Sequence, residues 1–137
     1  MARDVGEALR RLVANRAGYR CEYCLLHEDD CYYPHQLDHI ISRKHGGLSN
    51  FENLAFACFR CNTWKGSDIG SFDSQTLAFV GLFNPRLQSW DDHFSLRGSL
   101  IEPLTGEGGV TARLLKFNID KRVVERRRLA AVSGYPR

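Results

Sequence analysis

The sequence predicts an α+β chain centred on a strand, loop, strand and short helix, stabilised by a four-cysteine metal site and flanked by helices at both ends. Three observations predict it. Two Cys-x-x-Cys pairs, Cys21/Cys24 and Cys58/Cys61, bracket residues 25–57. Between them, Gln36–Ser42 and Asn53–Ala57 have the apolar and β-branched content of short strands, and Gly46-Gly47 breaks the run. Charged segments with helical periodicity stand before and after the bracketed region.

A length of 137 residues with 43% hydrophobic content suits about one domain built on one core. The expected division is an N-terminal helix over 1–20, the bracketed motif over 21–68, and a C-terminal extension over 69–137 packed on it. No run of ~18 apolar residues is present for a membrane span. The charged start, Met1 to Glu7, lacks the apolar centre of a signal peptide, so a cytoplasmic protein is expected. The formal net charge of +3 permits nucleic-acid binding without demanding it.

Asp4–Ala17 reads as an amphipathic helix with Val5, Leu9, Leu12 and Val13 on one face, Asp4 and Glu7 at its start and Gly18 at its end. Arg10, Arg11 and Arg16 lie outside that stripe and read as a solvated face. Pro34 stands where the first strand can begin, and Phe59–Ser67 suits a helix ended by Gly66. Further on, Asn84-Pro85-Arg86 signals a turn, Trp90–Leu96 an irregular strand or a turn of helix, and Leu100–Leu104 a strand. Thr105–Gly109 reads as a flexible turn, Thr111 as the cap of a helix over Ala112–Phe117, and Asn118 as the cap of another. In that last helix Ile119, Val123 and Ala130 share a face, while Lys121, Arg122, Arg126, Arg127 and Arg128 make it basic. The arginine run reads equally as a DNA-backbone grip or a solvated face.

Cys21, Cys24, Cys58 and Cys61 can give four thiolates to one tetrahedral Zn²⁺, a closed sphere and therefore a structural one. A redox Cys-x-x-Cys needs a single pair at a helix start in a βαβ setting, which this pattern lacks. The fifth cysteine, Cys31, is left over, and an odd count suits metal ligation better than a disulfide framework. Inside the bracket, Asp38 and Asn62 offer hard oxygen ligands suited to Mg²⁺ or Mn²⁺. His39 has the side chain to take a proton from water near neutral pH, although a lone His beside an Asp is more commonly a surface pair or a satisfied buried imidazole. Adjacent strand residues point to opposite faces, so Asp38 and His39 cannot both hold one ion unless the backbone bends.

The order Asp38-His39-Ile40, Gly46-Gly47, Asn53-Leu54 and Cys58-x2-Cys61-Asn62-x2-Lys65-Gly66 closely resembles the HNH endonuclease family in its zinc-bracketed, McrA-like form. The resemblance is dense from Cys21 to Gly66. It implies the ββα-metal finger fold and DNA phosphodiester hydrolysis with one catalytic divalent ion. His39 is then the general base, Asp38 and Asn62 the ion's ligands, and Asn53 the brace of the loop between the strands. Asn62 stands where the family often has His. By the same resemblance the products carry 5′ phosphate and 3′ hydroxyl ends. Lys65, Arg43 and Lys44 are expected phosphate contacts, weighed against ordinary surface charge, and Trp64 is expected to pack. Phe83 to Phe94 is similar to the segment that follows the motif in some stand-alone bacterial HNH proteins, and His93 within it is given no catalytic role.

The leading expectation is thus a DNA endonuclease or nickase with structural Zn²⁺ and catalytic Mg²⁺ or Mn²⁺. A non-cleaving zinc-stabilised nucleic-acid-binding module and a zinc knuckle bridging other proteins are the alternatives. Action alone, as a dimer, or beside a phage or mobile-element partner protein stays open.

Overall fold

A computed structural model describes residues 6–137. The helix predicted over Asp4–Ala17 is present as α1, Glu7–Ala17, after Gly6, which gives no side-chain cap. Asp4 and Val5 lie outside the described residues. Gly18 ends the helix in the left-handed conformation, its amide and that of Tyr19 turning back to Asn15 and Ala14 carbonyls. Val13 and Ala14 are buried with Leu54 and Phe56, Leu9 packs on them, and Leu12 is 56% exposed. The apolar stripe is therefore narrower than the periodicity suggested.

The bracketed region is an α+β unit of the expected order. Strands β1 (Gln36–His39) and β2 (Leu54–Ala57) form an antiparallel pair with Asp38 opposite Ala55 and His39 opposite Leu54. Helix α2 (Phe59–Lys65) follows at once. Its N-cap is Cys58, whose sulfur accepts from the Cys61 amide, so one residue starts the helix and belongs to the cysteine cluster.

Two further antiparallel hairpins follow, β3 (Gly70–Phe72) with β4 (Phe79–Gly81), and β5 (Phe94–Arg97) with β6 (Leu100–Pro103). The one-turn helix α3 (Trp90–His93) leads into β5, and α4 (Gly106–Leu114) and α5 (Asp120–Val132) complete the chain. The glycine tract expected to be a flexible turn is the first half of α4. Its cap is Thr105, whose hydroxyl accepts from the Gly108 amide, and not Thr111. Thr111 lies inside the helix, donating to the Glu107 carbonyl and accepting from the Phe83 amide. Gly108 is required by close approach, since a Cβ there would lie 2.3 Å from the His93 carbonyl oxygen.

α5 reverses the expected polarity. Arg122 and Arg126 are its buried residues, whereas Val132 is 81% exposed and Val124 lies at the surface. Of the arginine run only Arg127 and Arg128 face solvent. Asn118 does not cap this helix: its side chain pairs with the Ile101 backbone in both directions and accepts from Arg126, and Ile119 holds the cap position.

The cysteines share one core with Phe83, Phe94, Ile101, Leu115 and Phe117 from the C-terminal half. Polar ties run the same way. Trp90 Nε1 donates to the Tyr23 carbonyl at 2.9 Å, the Tyr135 hydroxyl donates to the Cys24 carbonyl at 2.6 Å, and Arg86 pairs with Glu22. Among the described residues, no helix is long and apolar enough to cross a membrane.

Candidate metal centre and active site

Cys21, Cys24, Cys58 and Cys61 are buried, and their sulfurs all lie within 4.8 Å of one another, Cys24 and Cys58 being 3.6 Å apart. Four sulfurs bound at ~2.3 Å to one tetrahedral ion stand ~3.8 Å apart, so the cluster fits a single Zn²⁺. In each pair the second cysteine's amide points at the first one's sulfur, both at 3.4 Å. Burial pushes the Cys21 and Cys61 thiols well up. A divalent cation is what makes four thiolates tolerable in such a place. Cys31 is outside the cluster, its thiol turned to the His27 carbonyl, and burial raises it to about 12.

The ββα unit brings Asp38 and His39 of β1, Ser42 and Arg43 of the following turn, and Asn62 of α2 around one open pocket of about 310 Å³. Asp38 is 3% exposed. One of its oxygens accepts from the Tyr23 hydroxyl at 2.7 Å, and the other faces Lys65 Nζ at 3.3 Å. Burial pushes this carboxyl above its ordinary range, against the opposing pull of Lys65 and Tyr23. His39 is half-buried, with Nε2 2.7 Å from the Ser49 hydroxyl. Burial first, then the Arg43 and Lys65 cations, lower its imidazole below the usual value.

The loop between β1 and β2 is closed by Asn53. Its Oδ1 accepts from the Ile41 amide at 3.0 Å, while Nδ2 donates to the Ile41 and Leu48 carbonyls at 2.8 and 2.9 Å. Its backbone carbonyl accepts from the Ile40 amide. Gly47 is wedged inside this loop, where a Cβ would sit 1.7 Å from the Ile41 oxygen.

The cations divide into two groups. Lys65 is 2% exposed, and besides Asp38 it donates to the His39 and Ile40 carbonyls at 3.1 and 3.2 Å. That ammonium is an internal strut, its hydrogen bonds going to Asp38, His39 and Ile40 at the end of β1, while the phosphate contact expected of it would need it turned outward. Arg43 and Lys44 are exposed on the short 3-10 turn after β1. Arg10 and Arg16, read from sequence as solvated, instead hold the motif in place. Arg10 donates to the His35 carbonyl and pairs with Glu28 at 3.0 Å, and Arg16 donates to the Phe51 and Leu54 carbonyls. Trp64 packs under Lys116 and Arg122, 5.0 and 5.6 Å from its ring centre. His93 bonds Thr105 and does not line the pocket.

Sequence reasoning missed Tyr23, Ser49 and Arg122. Tyr23 was visible only as a spacer between two cysteines, and Ser49 lies across a loop with no motif of its own. Arg122 and Arg126 are spaced to share a helix face, but nothing in their chemistry announced that the face was inward.

No curated protein and no solved structure matches the chain. Residues 21–68 match the family model HNH endonuclease. The match covers the stretch Cys21–Asp68, which holds the four-cysteine cluster and the ββα order, and over that stretch the chain is similar to the HNH endonuclease family.

Proposed function

We propose that the chain is a metal-dependent endonuclease that hydrolyses DNA phosphodiester bonds, with His39 as general base and Asp38 and Asn62 as ligands of one catalytic Mg²⁺ or Mn²⁺. The observation that carries this reading is the convergence of these three residues on one open pocket, inside a segment that matches a nuclease family. A carboxylate and an amide oxygen are hard donors that fit such an ion, and the longer of Asp38's two contacts, to Lys65, is the one that yields to it. When bound, the ion supplies positive charge against the phosphate and the departing 3′ oxygen.

The chain's own residues do the rest. With Nε2–H donated to Ser49, His39 keeps a lone pair on Nδ1 for a proton of the attacking water. The water oxygen bonds to phosphorus as the bond to the 3′ oxygen breaks, leaving a 5′ phosphate and, once protonated, a 3′ hydroxyl. A lowered imidazole value keeps the base neutral at physiological pH. Asn53 holds the loop that carries Ser49, and the exposed Arg43 and Lys44 are the phosphate contacts in this reading. The cytoplasm is the proposed setting, since reduced thiols there favour metal ligation over disulfides.

One observation favours the second reading, a non-cleaving DNA-binding module: both Asp38 oxygens already have protein partners. Supercoiled plasmid incubated with zinc-loaded protein and Mg²⁺ or Mn²⁺ separates the two. Nicked or linear product is expected from the wild type, with the rate reduced by about 10²–10⁴ in His39→Ala, the usual worth of a general base. Intact plasmid with every metal, accompanied by a gel shift, supports the binding module instead.

A further inference from the structure

Arg122 is fully buried, and among the described residues it has no carboxylate partner. A guanidinium in that position is costly unless an anion stands beside it. Its neighbours identify the anion. Nη2 lies 3.6 Å from the Cys61 sulfur and 3.8 Å from the Cys58 sulfur, and Nη1 donates to the Leu115 carbonyl at 2.8 Å. The rings of Trp64 and Phe117 lie 5.6 and 5.9 Å from its central carbon and fix its direction. One Zn²⁺ on four thiolates keeps a net charge of about −2 by formal count, in a buried core where screening is weak.

We infer that Arg122 is the built-in counter-charge of the zinc–thiolate centre, a positioning residue through which helix α5 holds the metal's second cysteine pair. The inference rests on the four cysteines being zinc ligands. It makes zinc retention depend on a residue far along the chain, in the C-terminal helix and outside the matched segment. Arg126 is the internal comparison. It is equally buried on the same helix, but its guanidinium goes to the Ser99 carbonyl and Asn118, with no sulfur contact.

The experiment is zinc release from the full chain to excess chelating dye, after metal analysis of the wild type. Absence of zinc in the folded wild type removes the four-thiolate reading itself and is distinguishable from failure of the Arg122 inference. With zinc present, Arg122→Met is expected to release it at least about 10-fold faster, as expected when a group supporting the ligands is lost. Arg122→Lys should fall between, and Arg126→Met should keep wild-type kinetics. Wild-type release from Arg122→Met, or equally fast release from Arg126→Met, overturns the inference. Should Arg122→Met fail to fold, cobalt-loaded Arg122→Lys decides: a displaced sulfur-to-cobalt charge-transfer band supports the contact, and an unchanged band overturns it.

Discussion

Ser49 shows how much of this site depends on residues without a motif. Its hydroxyl is the partner of His39 Nε2, and under the proposed mechanism that bond leaves Nδ1 to meet water. Ser49→Ala should lower the cleavage rate by about 10-fold, less than loss of the base itself, because the imidazole remains but loses its orientation. The pH profile gives an independent check. Burial and the nearby cations favour the neutral ring, so protonation, and with it the loss of rate, should set in below the ordinary imidazole value of ~6.5. A rate profile whose acid limb lies above that value would contradict His39 as the base. Asp38 and His39 were legible in the sequence because adjacency and family order single them out. The Lys65 strut was not, because spacing places a lysine near a site without saying whether its ammonium faces in or out.

Among the elements, the loop between β1 and β2 is the most tightly specified. Asn53 binds both its ends, and Gly47 lies against the backbone of Ile41. Gly47→Ala must push backbone apart and should cost about 3 kcal/mol, the upper end for overpacking, measured by urea denaturation. Gly109→Ala in α4 has open space around its new methyl and should be neutral or stabilising by up to about 1 kcal/mol. Equal effects at the two glycines would discount the close approach. Strand, loop, strand and helix could be read in order from the sequence because each has its own local signal. α4 and α5 could not. Three glycines argue against a helix until Thr105 caps it and His93 packs where a side chain would go, and two arginines mark a surface until thiolates are found facing one of them.

Across the whole molecule, the cysteines are core residues as much as ligands, sharing one cluster with apolar side chains of β5, β6 and the chain around α4. Zinc removal should therefore loosen more than the bracketed motif. Calorimetry of metal-stripped protein is expected to show a lowered and broadened transition for the full chain, since binding energy at such a site is also folding energy. A C-terminal half that keeps its full transition without metal would show that the shared core is not energetically coupled. The overall α+β class was legible. The coupling was not, because it is made by single contacts such as Tyr135 to Cys24 between residues far apart in sequence.

Those long contacts have a practical consequence in light. The chain has two tryptophans, and both touch the metal frame. Trp64 lies under the guanidinium that faces the Cys58 and Cys61 sulfurs, and Trp90 bonds the carbonyl of Tyr23, between the first two cysteines. A nearby cation and a hydrogen bond to the indole N–H both tune emission, so the fluorescence of the unlabelled protein reports the state of the zinc frame from two directions. Trp64 reads the pair next to Arg122, and Trp90 reads the pair tied to the rest of the chain.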